Sequence, residues 1–257
     1  MGKIFAEERR NLILTQLQKE KRLTVKELAQ SLKVSEATLR SDLNIMEKDR
    51  LLTRTHGGAV LNESIPPTNN FSDRAMRNIE SKKSITNEAL KLITYKSSIL
   101  LDASTTALEL AHQLKATDMR LTVVTNGLST ALELKENPNL NVILMGGIAR
   151  MGSMALEGPL GTDVLDKINI DIMFTSASGF TIEDGLTDFN VYEVELKKKM
   201  VKKADRVIAL LDYTKIGKSS ISSFATAEEV DTIITDTGIP EDMLRDLSSH
   251  KVKVVSC

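Results

Sequence analysis

The chain has 257 residues, 41% of them hydrophobic and 27% charged, and a net charge of −1, which suits one large globular domain or two smaller ones. No stretch approaches the roughly 20 apolar residues of a membrane span, and the start, "MGKIFAEERR", is charged where a secretory signal is apolar. Cys257 is the single cysteine, so a disulfide within the chain is excluded, and three scattered histidines do not indicate a metal site. We therefore expect a cytoplasmic protein with no metal, no cofactor and no membrane partner.

The charge is unevenly distributed along the chain. Residues 1–60 hold 12 of the 34 basic and 8 of the 35 acidic residues, a net charge of +4, so the remainder carries −5. We expect the two parts to have different partners.

Two helices are predicted before residue 34. Residues 6–19 place apolar side chains among charged ones at the spacing of an amphipathic helix. A second helix begins at Thr24, which forms a capping box with Glu27, while Leu23 and Leu28 occupy the positions of a hydrophobic staple.

A third helix is predicted to begin after Ser35, its N-cap. Leu39, Leu43 and Met46 recur at i, i+4 and i+7 and form its buried stripe. At about 100° per residue, the polar side chains project roughly the other way. The outward residues are the small Ala37 and the polar Arg40, Ser41, Asn44 and Lys48.

A hairpin and then a linker follow the third helix. "LLTRT" and "HGGAV" are two extended pieces around Gly57 and Gly58, which predicts a small hairpin or wing. The two prolines and polar residues of 61–73 are typical of a linker. The predicted organisation is a first domain at 1–60, a linker at 61–75 and a second domain at 76–257.

The second domain has the pattern of an α/β fold. After one charged helix over 74–93, apolar runs alternate with helical patterns: "SILLD", "LTVVTN", "NVILMGG", "IDIMFTSASG", "RVIALLD", "VDTIITD" and "KVKVV". This alternation predicts a mostly parallel sheet with helices on both faces.

Three short helices, a tight turn before the third and a glycine-tipped hairpin form the layout of a winged helix-turn-helix. A helix fits the major groove of DNA, its N-terminal half reaches base edges, and lysines and arginines neutralise phosphates. The residues predicted to bind DNA are Ser35, Thr38, Arg40, Ser41, Asn44, Lys48, Arg50, Arg54, His56, Gly57 and Gly58. Spacing alone leaves open a solvated helical face on a module that binds a protein or RNA.

A resemblance becomes specific at these residues. "VSEATLRSDL" and "EKDRLLTRTHGGA" are similar to the DNA-binding signature of the DeoR family of bacterial sugar-metabolism repressors, a V-S-x-x-T-[IL]-R helix followed by a wing ending H-G-G-A. The resemblance implies a repressor that binds double-stranded operator DNA. Family members commonly carry a second arginine where this chain has Ser41, so we expect its base preference and salt dependence to differ.

Polar loops follow five of the predicted strands. The carboxyl ends of parallel strands meet at one edge of the sheet, where ligands bind. The residues predicted there as an effector site are Asp102, Ser104, Thr105, Thr106, Thr125, Asn126, Gly146, Gly147, Arg150, Ser178, Gly179, Glu193, Lys197, Asp212 and Lys215. Helix capping is an equal alternative for "DASTT", and a surface ion pair at i, i+4 is the favoured interpretation of Glu193 and Lys197.

The family resemblance extends through the second domain. "FSDRAMRNIESKKSI" matches an F-x-x-R-x-x-x-N-x-x-x-K segment at Phe71, Arg74, Asn78 and Lys82, and "DASTT", "TNG", "GGIAR", "GLTDFNVYEVELK" and "DYTKIG" are similar to landmarks of the effector domain. The resemblance implies the fold of sugar-phosphate isomerases and CoA-transferases and an effector that is a phosphorylated sugar or polyol. Ser104 stands where the family usually has glycine, so either the backbone approaches a phosphate less closely or the Ser104 hydroxyl contacts it directly.

The predicted function is therefore a repressor of a carbohydrate-utilisation operon and not an enzyme. We expect a homodimer or homotetramer, because one +4 domain makes few phosphate contacts. The first alternative is a sugar-phosphate isomerase with Glu193 or Asp102 as the base and Lys197 or Lys215 as the electrostatic stabiliser. The second is an interaction module that does not bind DNA.

Overall fold

The computed structural model describes residues 9–10, 12–13, 16–17, 20, 22–48, 52–55, 57–60, 71–249 and 252–257. The chain divides into two compact units, Met1–Asn69 and Asn70–Cys257. The second unit therefore begins before residue 76, and the predicted end of the linker at 75 is too late, because residues 71–76 are already helical. The rest of the predicted linker, 61–70, lies outside the described residues.

Unit 1 has two fully described helices, α1 (Val25–Leu32) and α2 (Glu36–Lys48), and the described positions between residues 9 and 20 are also helical. Thr24 and Glu27 form the predicted capping box, which fixes the start of α1. The predicted stripe of α2 is confirmed, since Leu39, Leu43 and Met46 are completely buried in the core of the unit.

The predicted wing is confirmed as an antiparallel hairpin. The strands of unit 1 are β1 (Arg22–Thr24), β2 (Thr53–Thr55) and β3 (Gly58–Val60). They form one sheet in the order β1-β3-β2, with Arg54 opposite Ala59. A Cβ on Gly58 would lie 2.0 Å from the carbonyl oxygen of Leu23, so packing against β1 requires this glycine.

Unit 2 is an α/β domain. Its helices are α3 (Phe71–Met76), α4 (Ile79–Leu90), α5 (Thr105–Lys115), α6 (Leu128–Leu134), α7 (Val191–Val201) and α8 (Glu241–Ser249), with 3-10 helices at Pro159–Asp166, Tyr213–Lys215 and Ala227–Glu229. The prediction of one continuous helix over 74–93 is wrong. Asn78 adopts left-handed backbone angles (φ 49°, ψ 40°) and separates α3 from α4.

The strands of unit 2 are β4 (Ser98–Leu101), β5 (Leu121–Thr125), β6 (Leu140–Leu144), β7 (Ile148–Ala149), β8 (Leu156–Glu157), β9 (Ile172–Thr175), β10 (Gly179–Thr181), β11 (Gly185–Asp188), β12 (Val207–Leu210), β13 (Ser222–Ala225), β14 (Thr232–Thr235) and β15 (Val254–Ser256). Seven of them form a parallel sheet in the order β15-β14-β12-β9-β4-β5-β6. These are the seven predicted runs, so the parallel sheet is confirmed.

Successive strand residues enter opposite cores of unit 2. Ile99 and Leu101 pack in a cluster with helices α4, α5 and α6, whereas Leu100 packs in a second cluster with α7 and α8. The second cluster also includes the small sheet β10-β11-β13, which brings Asp188 close to the carboxyl edge of the large sheet. No described helix of the protein is long and apolar enough to cross a membrane.

Candidate functional site

The outward face of α2 carries its polar side chains into solvent, as predicted. Ser35, Arg40, Ser41 and Asn44 are exposed. Ser35 Oγ accepts a hydrogen bond from Thr38 N (3.2 Å), which makes it the cap of the helix. Arg40 Nη2 lies 2.8 Å from Glu36 Oε2, with 59% and 48% of the two side chains exposed, so the guanidinium is held near the first turn but stays open to a ligand.

The wing is tied to α2 by its arginine. Arg54 N donates to Glu47 Oε1 (2.9 Å), and Arg54 Nη1 donates to Asn44 Oδ1. Arg54 Nε is buried without a hydrogen-bond partner among the described residues. Gly57 is exposed at the turn, whereas the predicted DNA contact Gly58 is buried. The side chain of Lys48 and the residues Arg50 and His56 lie outside the described part of the chain.

A buried carboxylate anchors α2. Asp42 is 3% exposed, and its two oxygens lie 2.5 Å from Arg9 Nε and 3.2 Å from Arg10 Nε. A buried carboxylate held by two arginines fixes the orientation of the helix that carries it. In the sequence, Asp42 is marked only by its place in "VSEATLRSDL", the segment similar to the family signature.

The centre of the candidate effector site in unit 2 is a buried lysine between two aspartates. Lys197 Nζ lies 2.9 Å from Asp102 Oδ2 and 2.8 Å from Asp188 Oδ2, and it donates to the carbonyl oxygen of Ser176 (2.8 Å). Asp102 also accepts from Thr175 Oγ1 (2.7 Å) and from the backbone N–H of Ser104 (3.0 Å). Every charge in this centre is therefore compensated by an opposite charge or a donor.

The prediction that Glu193 and Lys197 form a surface ion pair is wrong. Lys197 is only 5% exposed and pairs with Asp102 and Asp188 because α7 packs over the carboxyl edge of the sheet. Burial alone would lower the pKa of Lys197, but the two aspartates and Glu193 raise it above its usual value. Burial alone would raise the pKa of Asp102, but Lys197 and its hydrogen-bond donors keep it low, so the centre stays charged.

A second lysine extends this centre along the sheet edge. Lys215 Nζ donates to Ser176 Oγ (2.9 Å) and lies 3.6 Å from Asp212 Oδ2. Burial lowers the pKa of Lys215, and the positive charge of Lys197 adds to this shift. Ser178 joins the same network by donating from N (3.0 Å) and Oγ (2.6 Å) to Asp188. The structure thus brings together Asp102, Ser178, Lys197, Asp212 and Lys215 of the predicted site.

Sequence reasoning did not assign the residues that α3 and α4 bring to this edge. Asn78 Nδ2 donates to Asp212 Oδ1 (3.2 Å), and Lys82 is 4% exposed. Burial lowers the pKa of Lys82 to about 8; the charges of Lys215 and Arg74 add to this shift, and those of Asp212 and Glu109 oppose it. The spacing of the F-x-x-R-x-x-x-N-x-x-x-K segment is the signal for this group, since Arg74, Asn78 and Lys82 recur every four positions.

A further group of predicted residues surrounds β8. Asn126 Nδ2 donates to the carbonyl oxygen of Leu156 (3.1 Å), Arg150 Nε lies 3.1 Å from Glu157 Oε2, and a Cβ on Gly147 would lie 2.7 Å from the carbonyl oxygen of Glu157. The Arg150 guanidinium also stacks 4.2 Å from the centroid of the Tyr192 ring.

Glu193 lies between the two groups. Burial raises the pKa of Glu193 despite the opposing charge of Lys197, and the carboxylates of Asp188 and Glu157 raise it further. Glu193 therefore takes up a proton more readily than an ordinary glutamate, whereas the pKa of Asp102 is held low.

The remaining predicted loop residues have structural contacts of their own. Ser104 Oγ accepts from Ala107 N (3.1 Å), so the capping interpretation describes its side chain, and Thr105 and Thr106 are buried at the first turn of α5. Thr125 Oγ1 accepts from Gly127 N (3.0 Å). Of the remaining predicted glycines, Gly179 is required by packing, because a Cβ there would lie 2.3 Å from the carbonyl oxygen of Lys218, whereas a Cβ on Gly146 would make an ordinary 3.6 Å contact with Gly161.

Four buried side-chain atoms of unit 2 have no hydrogen-bond partner among the described residues: Arg74 Nε, Gln113 Oε1, Asn126 Oδ1 and Glu157 Oε2. Arg74 Nε and Asn126 Oδ1 belong to the groups described above and indicate what a ligand would have to supply. An unpaired buried donor or acceptor costs about 1–3 kcal/mol, so such atoms are few in native structures. A ligand with an anionic group for the arginine and lysines and hydroxyl groups for the amide and carboxylate oxygens would satisfy both.

Comparisons with known proteins agree with both units. The family model of the DeoR-like helix-turn-helix domain matches residues 9–65, and that of the DeoR C terminal sensor domain matches residues 77–237. The HTH-type transcriptional regulator GolR of Listeria innocua is 48% identical, over 92% of this chain and 92% of its own length.

More distant relatives also match over nearly the whole chain. The L-fucose operon activator of Haemophilus influenzae is 32% identical over 96% of this chain and 98% of its own length. The glycerol-3-phosphate regulon repressor of Escherichia coli is 27% identical over 97% of this chain and 98% of its own length. A ribose 5-phosphate isomerase A from Methanocaldococcus jannaschii superposes on 54% of this chain and 55% of its own with a TM-score of 0.41 and 15% identity, a similarity too low to support an inference. The chain belongs to the DeoR family and is a transcriptional regulator rather than an enzyme.

Proposed function

We propose that this regulator represses a carbohydrate-utilisation operon in the cytoplasm and that a phosphorylated sugar or polyol bound in unit 2 controls its binding to operator DNA. The observation that carries the proposal is the group of three cations Arg74, Lys82 and Lys215. Beyond the effect of burial, Lys215 and Arg74 lower the pKa of Lys82, and Arg74 lowers that of Lys215. Two relatives, an L-fucose operon activator and a glycerol-3-phosphate regulon repressor, support the class of effector.

The cation group has the electrostatics of an anion site. Burial and mutual repulsion disfavour the charged forms of Lys82 and Lys215, and Asp212 offsets only part of this cost. A bound phosphate would bring negative charge beside Lys82 and Lys215 and thereby favour the charged form of both side chains. Because Asp212 already accepts from Asn78 and Thr214, its charge is shared among several donors.

The acceptors beside this group suit the hydroxyl groups of a sugar or polyol. Lys197 holds the carboxylates of Asp102 and Asp188 in fixed orientations, and carboxylate oxygens accept hydrogen bonds from hydroxyl groups. Asn126 Oδ1 offers a further free acceptor near β8. A molecule with a phosphate at one end and hydroxyl groups at the other matches this distribution.

For operator binding, we propose that the N-terminal half of α2 enters the major groove. Arg40 would contact a base edge or an adjacent phosphate, and Arg54 with the wing would contact the backbone. A homodimer or homotetramer would bind two half-sites and double the number of phosphate contacts that one basic unit makes.

Effector control requires that the ligand prefer one of two conformations. The effector releases DNA only if it binds more tightly to the conformation that binds operator poorly. A preference of about 2–3 kcal/mol changes operator occupancy roughly 30- to 150-fold, which is within the usual range of allosteric coupling.

The test is a gel shift with duplex DNA from the promoter region of the protein's own gene at ~150 mM salt, where nonspecific contacts are screened. A panel of sugar and polyol phosphates is then added one at a time, with the unphosphorylated compounds as controls. We expect retention of the DNA and its release by one phosphorylated compound only. Release by unphosphorylated sugars to the same extent would contradict the role of the cation group, and no retention of promoter DNA would contradict operator binding.

A further inference from the structure

Lys82 has a structural contact of its own within unit 2. Its ammonium group donates to the carbonyl oxygens of Arg74 and, at 3.3 Å, Ala75, in the last turn of α3. The final carbonyls of a helix have no partner within the helix. A cation placed there donates hydrogen bonds to these carbonyls, and it interacts favourably with the negative end of the helix dipole. Lys82 is therefore the C-terminal cap of α3, although it belongs to α4.

This cap matters because α3 is short. A helix of six residues does not form by itself in water, so its stability comes from contacts made by its ends and its buried side. At its start, Phe71 is buried and its N–H lies 3.4 Å from the carbonyl oxygen of Gly152. At its end, the left-handed Asn78 donates to Asp212, a residue of the cation group.

A phosphate and the end of α3 are competing ligands for Lys82. The carbonyl end of a helix carries a partial negative charge, so a phosphate bound to the same ammonium group would lie beside two carbonyl oxygens and be repelled by them. The hydrogen bond from an ammonium group to a phosphate is charge-assisted and stronger than that to a neutral carbonyl. Among the described residues, Lys82 forms no ion pair that would hold it in place.

We propose that the phosphate of the effector takes Lys82 away from the carbonyls of Arg74 and Ala75 and thereby releases the end of α3. The proposal rests on the anion site described above and assigns its regulation. Helix α3 is the first described element after residues 61–70, through which the chain joins unit 2 to the DNA-binding unit. Loss of the α3 cap is thus the first step by which effector binding reaches the DNA-binding domain.

The experiment measures amide hydrogen exchange of residues 71–78 in the full chain, with and without inorganic phosphate as the probe. Lys82→Met removes the cap, and Lys83→Met is the matched control, because Lys83 is the next residue of α4 and pairs only with Glu80 (2.9 Å) on the surface in the contacts described. Titration calorimetry of wild type and Lys215→Met reports phosphate binding at the site separately.

We expect phosphate to speed exchange in wild-type α3 by roughly three- to tenfold, the effect of removing a cation from a helix C-terminus. Lys82→Met should show the same faster exchange without phosphate and no further response to it, whereas Lys83→Met should behave as wild type. If circular dichroism shows that Lys82→Met does not fold, Lys82→Gln replaces it, with the same expectation at smaller amplitude.

Two results would overturn the inference in distinguishable ways. If calorimetry shows phosphate binding that Lys215→Met abolishes, but exchange in α3 is unchanged or slower, the anion site stands and the cap mechanism is wrong. If phosphate does not bind the wild-type protein, the proposed function loses its anion site and the inference fails with it, whatever the exchange of Lys82→Met.

Discussion

The ion pairs of the two units differ in how much solvent reaches them. On α2, Arg40 and Glu36 pair with 59% and 48% of their side chains exposed, whereas the side chains of Lys197, Asp102 and Asp188 are 7%, 0% and 9% exposed. An exposed pair contributes about 0–1 kcal/mol, so a DNA phosphate can replace the glutamate at little cost. A buried pair is expensive to break, so it orients groups permanently. The same chemistry thus gives an exchangeable contact in one unit and a fixed scaffold in the other.

The largest expected effect comes from breaking the buried group with Lys197→Met. Asp102 and Asp188 would remain buried without their cation, and the loss of one partner of a buried pair costs about 3–5 kcal/mol. Urea unfolding should show the fall in stability for unit 2. Lys198→Met, which removes the neighbouring surface pair with Glu195, should change stability by less than about 1 kcal/mol. Equal midpoints for the two variants would mean that burial does not distinguish the two pairs.

The next largest effect concerns Arg40 of the exposed pair on α2. Arg40→Ala should weaken specific operator binding by about 1–3 kcal/mol, or roughly 5- to 150-fold, because one bidentate base contact is lost. Phosphate binding in unit 2 and the unfolding midpoint should not change. Arg40→Lys keeps the positive charge but loses the two-pronged guanidinium. It should therefore retain the salt dependence of DNA binding and lose most of the discrimination between operator and scrambled DNA. Fluorescence anisotropy with operator and scrambled duplexes measures both, and unchanged operator affinity in Arg40→Ala would refute the assignment of α2.

A smaller effect follows from the lowered pKa of Lys82. Free Lys82 loses its proton near pH 8, and a bound phosphate raises its pKa again, so binding favours the protonated form. Phosphate affinity should therefore be highest below about pH 8 and fall by up to about tenfold per pH unit above it. The groups that face Lys82 are Lys215, Asp212, Arg74 and Glu109.

Calorimetry between pH 7 and 9.5 tests this dependence. Lys82→Arg is the control, because its guanidinium does not titrate in this range. A wild-type affinity that stays constant through pH 9.5 would show that Lys82 does not contact the phosphate.

The difference between the units also explains what the sequence could predict. The stripe of Leu39, Leu43 and Met46 and the capping box of Thr24 follow from local spacing, so α1, α2 and the wing were predictable. The seven strands were predictable for the same reason. The break at Asn78 was not, because left-handed asparagine is stabilised by tertiary contacts such as that with Asp212, 134 residues away in sequence. Likewise, spacing paired Lys197 with Glu193, and only the packing of α7 on the sheet selects Asp102 and Asp188.

The smallest expected effect tests whether the exposed pair on α2 is exchangeable. Glu36→Gln removes a negative charge from the face proposed to meet DNA and frees Arg40 from its partner. Affinity for scrambled DNA should rise by roughly two- to fivefold, the equivalent of a surface pair of ~0.3–1 kcal/mol, while the preference for operator falls because Arg40 is no longer oriented. Glu20→Gln changes the same charge at an exposed position outside α2 and controls for net charge. If both variants raise affinity equally, Glu36 acts only through net charge, and the pair does not set the position of Arg40.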